Sequence, residues 1–129
     1  MCSFTVVYGQ IGWGVNYTSS EICALVGSTV EMRCSYKFPN AKDSKVDKEF
    51  WFIENHNDLK NCLNYSKRVE YHCEEHVCSL KIKNITKSDS AVYKFRFITN
   101  IQDGKYTGLP GVTLSVTGKL SFNYLSINF

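Results

Sequence analysis

The sequence predicts an all-β fold, a sandwich of two sheets built from short strands. Apolar and polar residues alternate in several short runs, and turn-forming residues separate these runs. Aromatic residues make up 14% of the 129 residues, which favours strands over helices. A chain of this length is expected to form one domain with a substantial core. The predicted strands are 30–37, 50–53, 78–83, 91–98 and 112–117.

The first two runs illustrate the two kinds of strand. In 30–37, apolar side chains at Val30, Met32, Cys34 and Tyr36 alternate with polar ones, which is typical of a half-buried strand. The run 50–53 is apolar on both faces and carries three aromatic residues. It is therefore predicted to be a short aromatic strand.

The three later runs follow the same period of two. In 78–83, serine and lysine residues alternate with Cys78, Leu80 and Ile82, and in 112–117 threonine and serine residues alternate with aliphatic ones. The run 91–98 places Tyr93 and Phe95 on one face. Evenly spaced short strands of this kind favour a β-sandwich.

Composition excludes several classes of function. The net charge of +3 is too small and too evenly spread for a nucleic-acid-binding protein. No run approaches the ~20 apolar residues of a membrane span. Six cysteines accompany glycosylation sequons at Asn16, Asn64 and Asn84, which together favour an oxidising, extracellular setting.

The chain is expected to divide into three parts. Residues 1–11 are interpreted as a leader remnant or a disordered N-terminus, because they lack a basic n-region and a full apolar h-region. Residues 12–117 carry the sandwich pattern, and residues 118–129 form a tail outside the domain. Any membrane attachment is expected to come from segments absent from this chain.

A motif in the second half identifies the type of sandwich. Asp89-Ser90-Ala91-Val92-Tyr93 resembles the start of strand F in immunoglobulin domains, where the tyrosine forms the tyrosine corner. Trp51 follows Cys34 by 17 residues, as the buried strand-C tryptophan does, and Arg68 is placed to pair with Asp89. As a set, these residues resemble a variable-type (V-set) immunoglobulin domain.

Strand F departs from the usual pattern at one position. Phe95 occupies the place of the second strand-F cysteine, and Arg96 follows it directly. This combination resembles the sialic-acid-binding immunoglobulin-like lectins, in which an aromatic residue replaces that cysteine and the disulfide joins strands B and E. The resemblance implies a Cys34–Cys78 bridge within one sheet.

The remaining cysteines are assigned from their positions in the chain. Cys62 and Cys73 lie on either side of the segment that leads into a further expected strand, 69–73, which is strand D in immunoglobulin nomenclature, and we expect the two cysteines to pair with each other. Cys23 is then left over. It has two candidate partners, Cys2 and a cysteine of a following domain.

The same resemblance implies a ligand site for terminal sialic acid on glycoproteins or glycolipids. Arg96 matches the arginine that pairs with the sugar carboxylate. Trp13 matches the tryptophan that packs on the N-acyl group, and Tyr106 lies where the family often has a second aromatic contact. Strand alternation points Arg96 outward beside Lys94, and the guanidinium fork fits a carboxylate. A glycan on Asn16 would crowd Trp13.

A rival hypothesis assigns the chain to protein recognition. Phe50 and Phe52 alternate with Trp51 and should face outward on the sheet that carries Arg96, where they favour a protein partner. No catalytic set, cofactor or metal is predicted, because the spacing of His72 and His76 with their neighbouring cysteines matches no common zinc motif. The sequence thus predicts an extracellular recognition domain of an immune-cell receptor.

Overall fold

A computed structural model describes residues 12–39, 43–101 and 104–118. The expected leader 1–11 and residues 119–129 of the expected tail lie outside the described residues, as does Cys2. The strands are β1 Gly14–Tyr17, β2 Glu21–Leu25, β3 Val30–Lys37, β4 Val46–Ile53, β5 Val69–Glu74, β6 Val77–Ile82, β7 Ala91–Thr99, β8 Lys105–Thr107 and β9 Val112–Thr117. Short 3-10 helices at Leu59–Asn61 and Lys87–Asp89 lie in the connections.

The strands form two sheets, and the predicted all-β sandwich is confirmed. One sheet has the order β1-β3-β6-β5, and the other has the order β2-β9-β7-β4 with β8 added alongside β7. The N-terminal stretch contributes to both sheets, since β1 pairs antiparallel with β3 while β2 pairs parallel with β9. The segment that runs from β1 into β2 therefore connects the two sheets.

The core lies between the sheets, where the alternating faces meet. Along β3, buried and exposed residues alternate without a break, as the sequence predicted. The ring centroids of Trp51 and Phe95 are 5.4 Å apart, in an edge-on arrangement at the centre of the core. The predicted core residues are all buried: Cys34, Trp51, Cys78, Leu80, Tyr93, Phe95, Val112 and Leu114.

A buried ion pair closes one end of the sandwich. Arg68 Nη1 and Nη2 donate to the two carboxylate oxygens of Asp89 at 2.8 and 2.9 Å, which confirms the predicted pairing. The hydroxyl of Tyr93 donates to the backbone oxygen of Asp89 at 2.5 Å, as a tyrosine corner does. The backbone N–H of Thr86 also donates to the Asp89 carboxylate, so this side chain accepts from three nitrogen atoms of two residues.

The disulfide pairing differs from the expectation. The structure joins Cys73 to Cys78, between β5 and β6, so the bridge is intra-sheet as predicted but connects the other pair of strands. The expected Cys34–Cys78 and Cys62–Cys73 bridges are absent from the described residues, where Cys34, Cys62 and Cys23 are free thiols. Both expectations are corrected by this pairing.

The ladder geometry explains why Cys73 takes the bond. Cys34 and Cys73 both lie directly opposite Cys78, one on each neighbouring strand. The N–H of Tyr36 donates to the carbonyl of His76, so these two residues form a wide, hydrogen-bonded pair of the β3–β6 ladder. Wide pairs recur every two residues in an antiparallel ladder, so Cys34 and Cys78 also form a wide pair. The Cα atoms of Cys73 and Cys78 are only 4.0 Å apart, as in the narrow pair where side chains approach more closely.

A gap in the β7 ladder is filled by a side chain from β1. Between β8 and β9 the chain leaves the sheet, and Phe95 has no strand partner for its N–H there. That N–H donates to the Tyr17 hydroxyl at 2.8 Å, and the same hydroxyl donates to the carbonyl of Gly108 at 2.8 Å. Gly108 is required because a Cβ would lie 2.6 Å from Val15. Tyr17 thus holds β8 beside β7.

Cysteine labelling tests the observed pairing. Burial raises the pKa of the Cys34 thiol to about 12, and its side chain is 1% exposed, so we expect it to resist alkylation in the native protein. The exposed Cys23 should react at once, and Cys34 only after unfolding. Peptide mapping should then recover the Cys73–Cys78 crosslink. Recovery of Cys34 joined to Cys78 would contradict the structure.

Acid titration tests the Arg68–Asp89 pair. Burial by itself raises the pKa of Asp89, but the Arg68 guanidinium and the Thr86 N–H outweigh it and hold the pKa below its ordinary value. A lowered pKa adds stability above the unfolded-state pKa of about 3.9, and this stability is lost as the pH falls through the folded-state pKa. The pair should therefore stabilise the protein fully at neutral pH and weaken below about pH 4.

We expect Asp89→Asn to lower the free energy of unfolding by about 3 kcal/mol at pH 7, because it leaves a largely buried guanidinium without its counter-charge. Denaturant titrations at several pH values should show this difference shrinking towards pH 3. The control is Glu70→Gln, which removes an exposed ion pair with Lys83 and should change stability little. A difference of constant size across the pH range would contradict the assignment.

Candidate functional site

The outer face of the sheet formed by β4, β7 and β8 carries two of the four predicted ligand residues, Arg96 and Lys94. Side chains of β7 alternate, so Phe95 and Phe97 are buried while Arg96 lies on the outside. The ladder places Phe50 and Thr107 opposite Arg96, one on each side. The neighbouring rows of this outer face are Lys48, Ile98 and Lys105 on one side, and Phe52 and Lys94 on the other.

Arg96 differs from the other two arginines of the chain in what it contacts. Arg33 pairs with Glu31, and Arg68 pairs with Asp89. Arg96 instead donates from Nη1 to the Thr107 hydroxyl at 3.1 Å, and no carboxylate of the described residues lies within 4.0 Å of it. The half-buried guanidinium is thus oriented by a neutral partner, and its charge remains available to an incoming anion.

Lys94 is less available than Arg96. Its Nζ lies 3.6 Å from a carboxylate oxygen of Glu54, and its side chain is 21% exposed. Since Glu54 is at the surface, the pair is a solvent-screened one of modest strength. Lys94 therefore adds positive charge at the edge of the site but already has a counter-charge of its own.

Two aromatic side chains lie next to Arg96 on the outer face, as predicted. The half-buried rings of Phe50 and Phe52 are 6.0 Å apart, tilted by 47°. The Nζ atom of Lys48 lies 5.0 Å from the centre of the Phe50 ring, in a cation–π contact. The site therefore combines a free guanidinium with an apolar surface beside it.

Trp13 and Tyr106 are not brought to Arg96. Tyr106 lies opposite the buried Phe97 in the β7–β8 ladder, so its side chain points inward. Trp13 stacks on Phe97 with ring centroids 5.8 Å apart and on Tyr106 at 6.2 Å. The residue of β8 that faces outward beside Arg96 is Thr107, which no motif in the sequence singled out. The physical reason is the period of two, because Tyr106 and Thr107 cannot share a face.

The glycosylation sequons lie away from this outer face. Asn16 is exposed on β1, in the other sheet, and none of the three sequons falls in β4, β7 or β8. Asn64 and Asn84 flank Arg68, whose guanidinium donates to both of their backbone carbonyls. Glycans on Asn64 and Asn84 would therefore be attached at the end of the sandwich where Arg68 lies.

The residues considered as metal ligands are engaged elsewhere. His72 pairs with Glu74, with 3.5 Å between Nε2 and Oε1, and His76 stacks on Tyr36. Ligand atoms of Glu49, Cys73 and Cys78 lie within 4.8 Å of one another. The two sulfur atoms are bonded to each other, so they offer no thiolate to a metal ion.

Comparison with known proteins assigns the family. The family model of the immunoglobulin V-set domain matches residues 17–117. The chain belongs to the immunoglobulin V-set family. V-set domains are generally non-enzymatic binding modules and are typically extracellular. A comparison with curated proteins found no match. Among the described residues, no helix has the length and apolar character needed to cross a membrane.

Similarity to solved structures supports the two-sheet sandwich fold alone. One similar chain comes from a structural study of T cell specificity and activation by the bacterial superantigen toxic shock syndrome toxin-1. It is 16% identical, with a TM-score of 0.62, and the match covers 82% of this chain and 100% of that one. A chimeric titin Z1Z2 carrying a decorin peptide is 22% identical, with a TM-score of 0.59 and coverages of 81% and 94%. Titin Z1Z2 in complex with telethonin is 20% identical, with a TM-score of 0.59 and coverages of 81% and 48%.

Truncation of Trp13 tests its position in the V-set domain. Trp13→Ala removes ring contacts with Phe38, Phe97 and Tyr106, so we expect it to lower the free energy of unfolding by about 2 kcal/mol or more. Denaturant unfolding measures this, with Leu63→Ala, at a side chain 95% exposed, as the neutral control. Unchanged stability would indicate that Trp13 lies outside the core, in the surface position that the sequence resemblance implied.

Proposed function

We propose that this V-set domain binds terminal sialic acid on glycans of cell surfaces, through the outer face around Arg96. The observation that carries the proposal is the half-buried guanidinium of Arg96, which Thr107 orients and which has no ion-pair partner among the described residues. Sialic acid is a sugar with a carboxylate, and a planar guanidinium is the side chain best suited to hold one with two parallel hydrogen bonds.

Sequence resemblance supports a sialic acid over other carboxylates. The run Tyr93-Lys94-Phe95-Arg96-Phe97 is similar to strand F of the sialic-acid-binding immunoglobulin-like lectins, with an aromatic residue in place of the cysteine and an arginine next to it. The packing of Phe95 against Trp51 agrees with this pattern, because the ring fills the space of an inter-sheet bridge. The proposal places the domain in an extracellular receptor of immune cells.

Phe50 takes the role in the site that the resemblance gave to Trp13. Its ring lies opposite Arg96 on β4, on the same side of the sheet. An aromatic face is an apolar platform for a methyl group or a CH-rich side of a sugar ring. A ligand with its carboxylate on Arg96 would thus rest its apolar atoms on Phe50.

The affinity of one such site is expected to be low. A charge-assisted hydrogen-bonded pair contributes roughly 1.5–3 kcal/mol, and the sugar hydroxyls exchange their bonds with water at little gain. Useful binding would come from many receptors meeting many glycans. A shallow outer face is consistent with recognition at cell contacts.

The second candidate function is recognition of a protein partner by the same face. The adjoining rings of Phe50 and Phe52 favour it, since aromatic residues are enriched in protein interfaces. The positive charge of Arg96 would then select an acidic partner. The two functions differ in whether a sugar is needed.

Substitution at Arg96 tests the sialic-acid proposal. We expect Arg96→Ala to lower binding of the multivalently displayed chain to sialylated cells at least tenfold, and Arg96→Lys several-fold, since lysine keeps the charge but loses the fork. Flow cytometry with and without sialidase is the measurement. The control is Arg33→Ala, which removes an exposed arginine from the other sheet.

Each function gives a distinct result in this assay. Sialic-acid binding requires that sialidase and Arg96→Ala abolish the signal, while Arg33→Ala preserves it. Protein recognition predicts a signal that survives sialidase and falls with Phe50→Ala or Phe52→Ala. Binding that resists both sialidase and Arg96→Ala would overturn the lectin proposal.

A further inference from the structure

Some surface cations of this domain form ion pairs and others do not. On the β1-β3-β6-β5 sheet, Arg33 pairs with Glu31, and Lys83 pairs with Glu70 at 2.6 Å. On the outer face around Arg96, the cations of two successive rows have no ion-pair partner within the described residues: Arg96, Lys48 and Lys105. Within residues 12–39, 43–101 and 104–118, these three positive charges are therefore not compensated by an acid.

The two lysines flank the row next to Arg96. Lys48 on β4 and Lys105 on β8 both lie opposite Ile98, which is two residues from Arg96 along β7. Two residues of a strand span roughly 6.5–7 Å, about the length of one sugar ring. A glycan anchored at Arg96 and running along β7 would bring its next sugar between these lysines.

One of these lysines is already directed towards the site. The Nζ of Lys48 leans over the Phe50 ring, and Phe50 is the residue directly opposite Arg96. The contact holds the ammonium at the border between the two rows without neutralising it, because a ring offers no counter-charge. An anion there would meet Lys48 without first breaking an ion pair.

We propose that the preferred ligand of this face is a glycan with two anionic groups. The carboxylate of the terminal sialic acid occupies Arg96, and a second anionic group on a neighbouring sugar, a sulfate ester or a second carboxylate, occupies the Lys48–Lys105 row. The inference rests on the proposed sialic-acid site and adds its specificity. It assigns Lys48 and Lys105 to binding, a role the sequence did not suggest.

Electrostatics favours two anions over one. Three like charges on adjacent rows repel one another in the free protein, and a single carboxylate neutralises only one of them. A second anionic group is attracted by the remaining two. Because these are exposed charges, we expect a gain of about three- to fivefold per site at low salt, and less at high salt.

The test is a panel of matched glycans presented to the multivalently displayed chain. The panel holds a sialylated trisaccharide, the same glycan with one sulfate on either following sugar, its disialylated form, and the sulfated glycans without sialic acid. The chain is used unaltered, as Lys48→Met with Lys105→Met, and as the control Lys67→Met with Lys81→Met, which removes two charges elsewhere.

The proposal expects at least a threefold tighter half-saturation on a doubly charged glycan, lost in Lys48→Met with Lys105→Met and kept in the control. A gain with sulfate or with the second sialic acid identifies the source of the second anion. Equal binding of singly and doubly charged glycans, or a gain that survives the lysine substitutions, overturns this inference and leaves the sialic-acid site intact. Equal binding of sulfated glycans with and without sialic acid overturns both.

Discussion

The packing of Phe95 against Trp51 is the contact on which the functional face depends. It fixes which side of β7 is buried, since the two rings fill the centre of the sandwich. With Phe95 inside, strand geometry sends Arg96 to the outside. The fold and the candidate site are thus coupled through a single strand, in which core residues alternate with the residues proposed to bind the ligand.

The alternation of the strands explains what the sequence could and could not predict. Period two identified β3, β7 and β9 and put Arg96 and Phe50 on one face, because burial of alternate residues leaves a direct trace in the sequence. It did not reveal that Thr107 rather than Tyr106 lies beside Arg96. That depends on the register between β7 and β8, which no side-chain pattern in the three-residue β8 records.

The cysteines show the same limit in another form. The alternation in the sequence indicated that these cysteines lie on strands. Cys34 and Cys73 are both directly opposite Cys78, and which of them bonds to it depends on which pair of the ladder is wide and which is narrow. That difference is set by backbone hydrogen bonds, and side-chain identity carries no information about it. A resemblance between families transfers positions more reliably than it transfers bonds.

The choice of a hydroxyl as the partner of Arg96 has a chemical consequence for the site. A carboxylate in place of Thr107 would hold the guanidinium as firmly, but an incoming anion would then have to displace a charged competitor. A hydroxyl accepts one hydrogen bond, orients the fork and leaves the full positive charge. The same holds for Lys48, whose contact is a neutral ring. Arg96 and Lys48 are thus positioned without being neutralised by any described residue, whereas Lys94 at the edge of the face is paired with Glu54. Within the described part of the chain, three cations on adjacent rows, Arg96, Lys48 and Lys105, have no ion-pair partner, and such a cluster favours recognition of an anion.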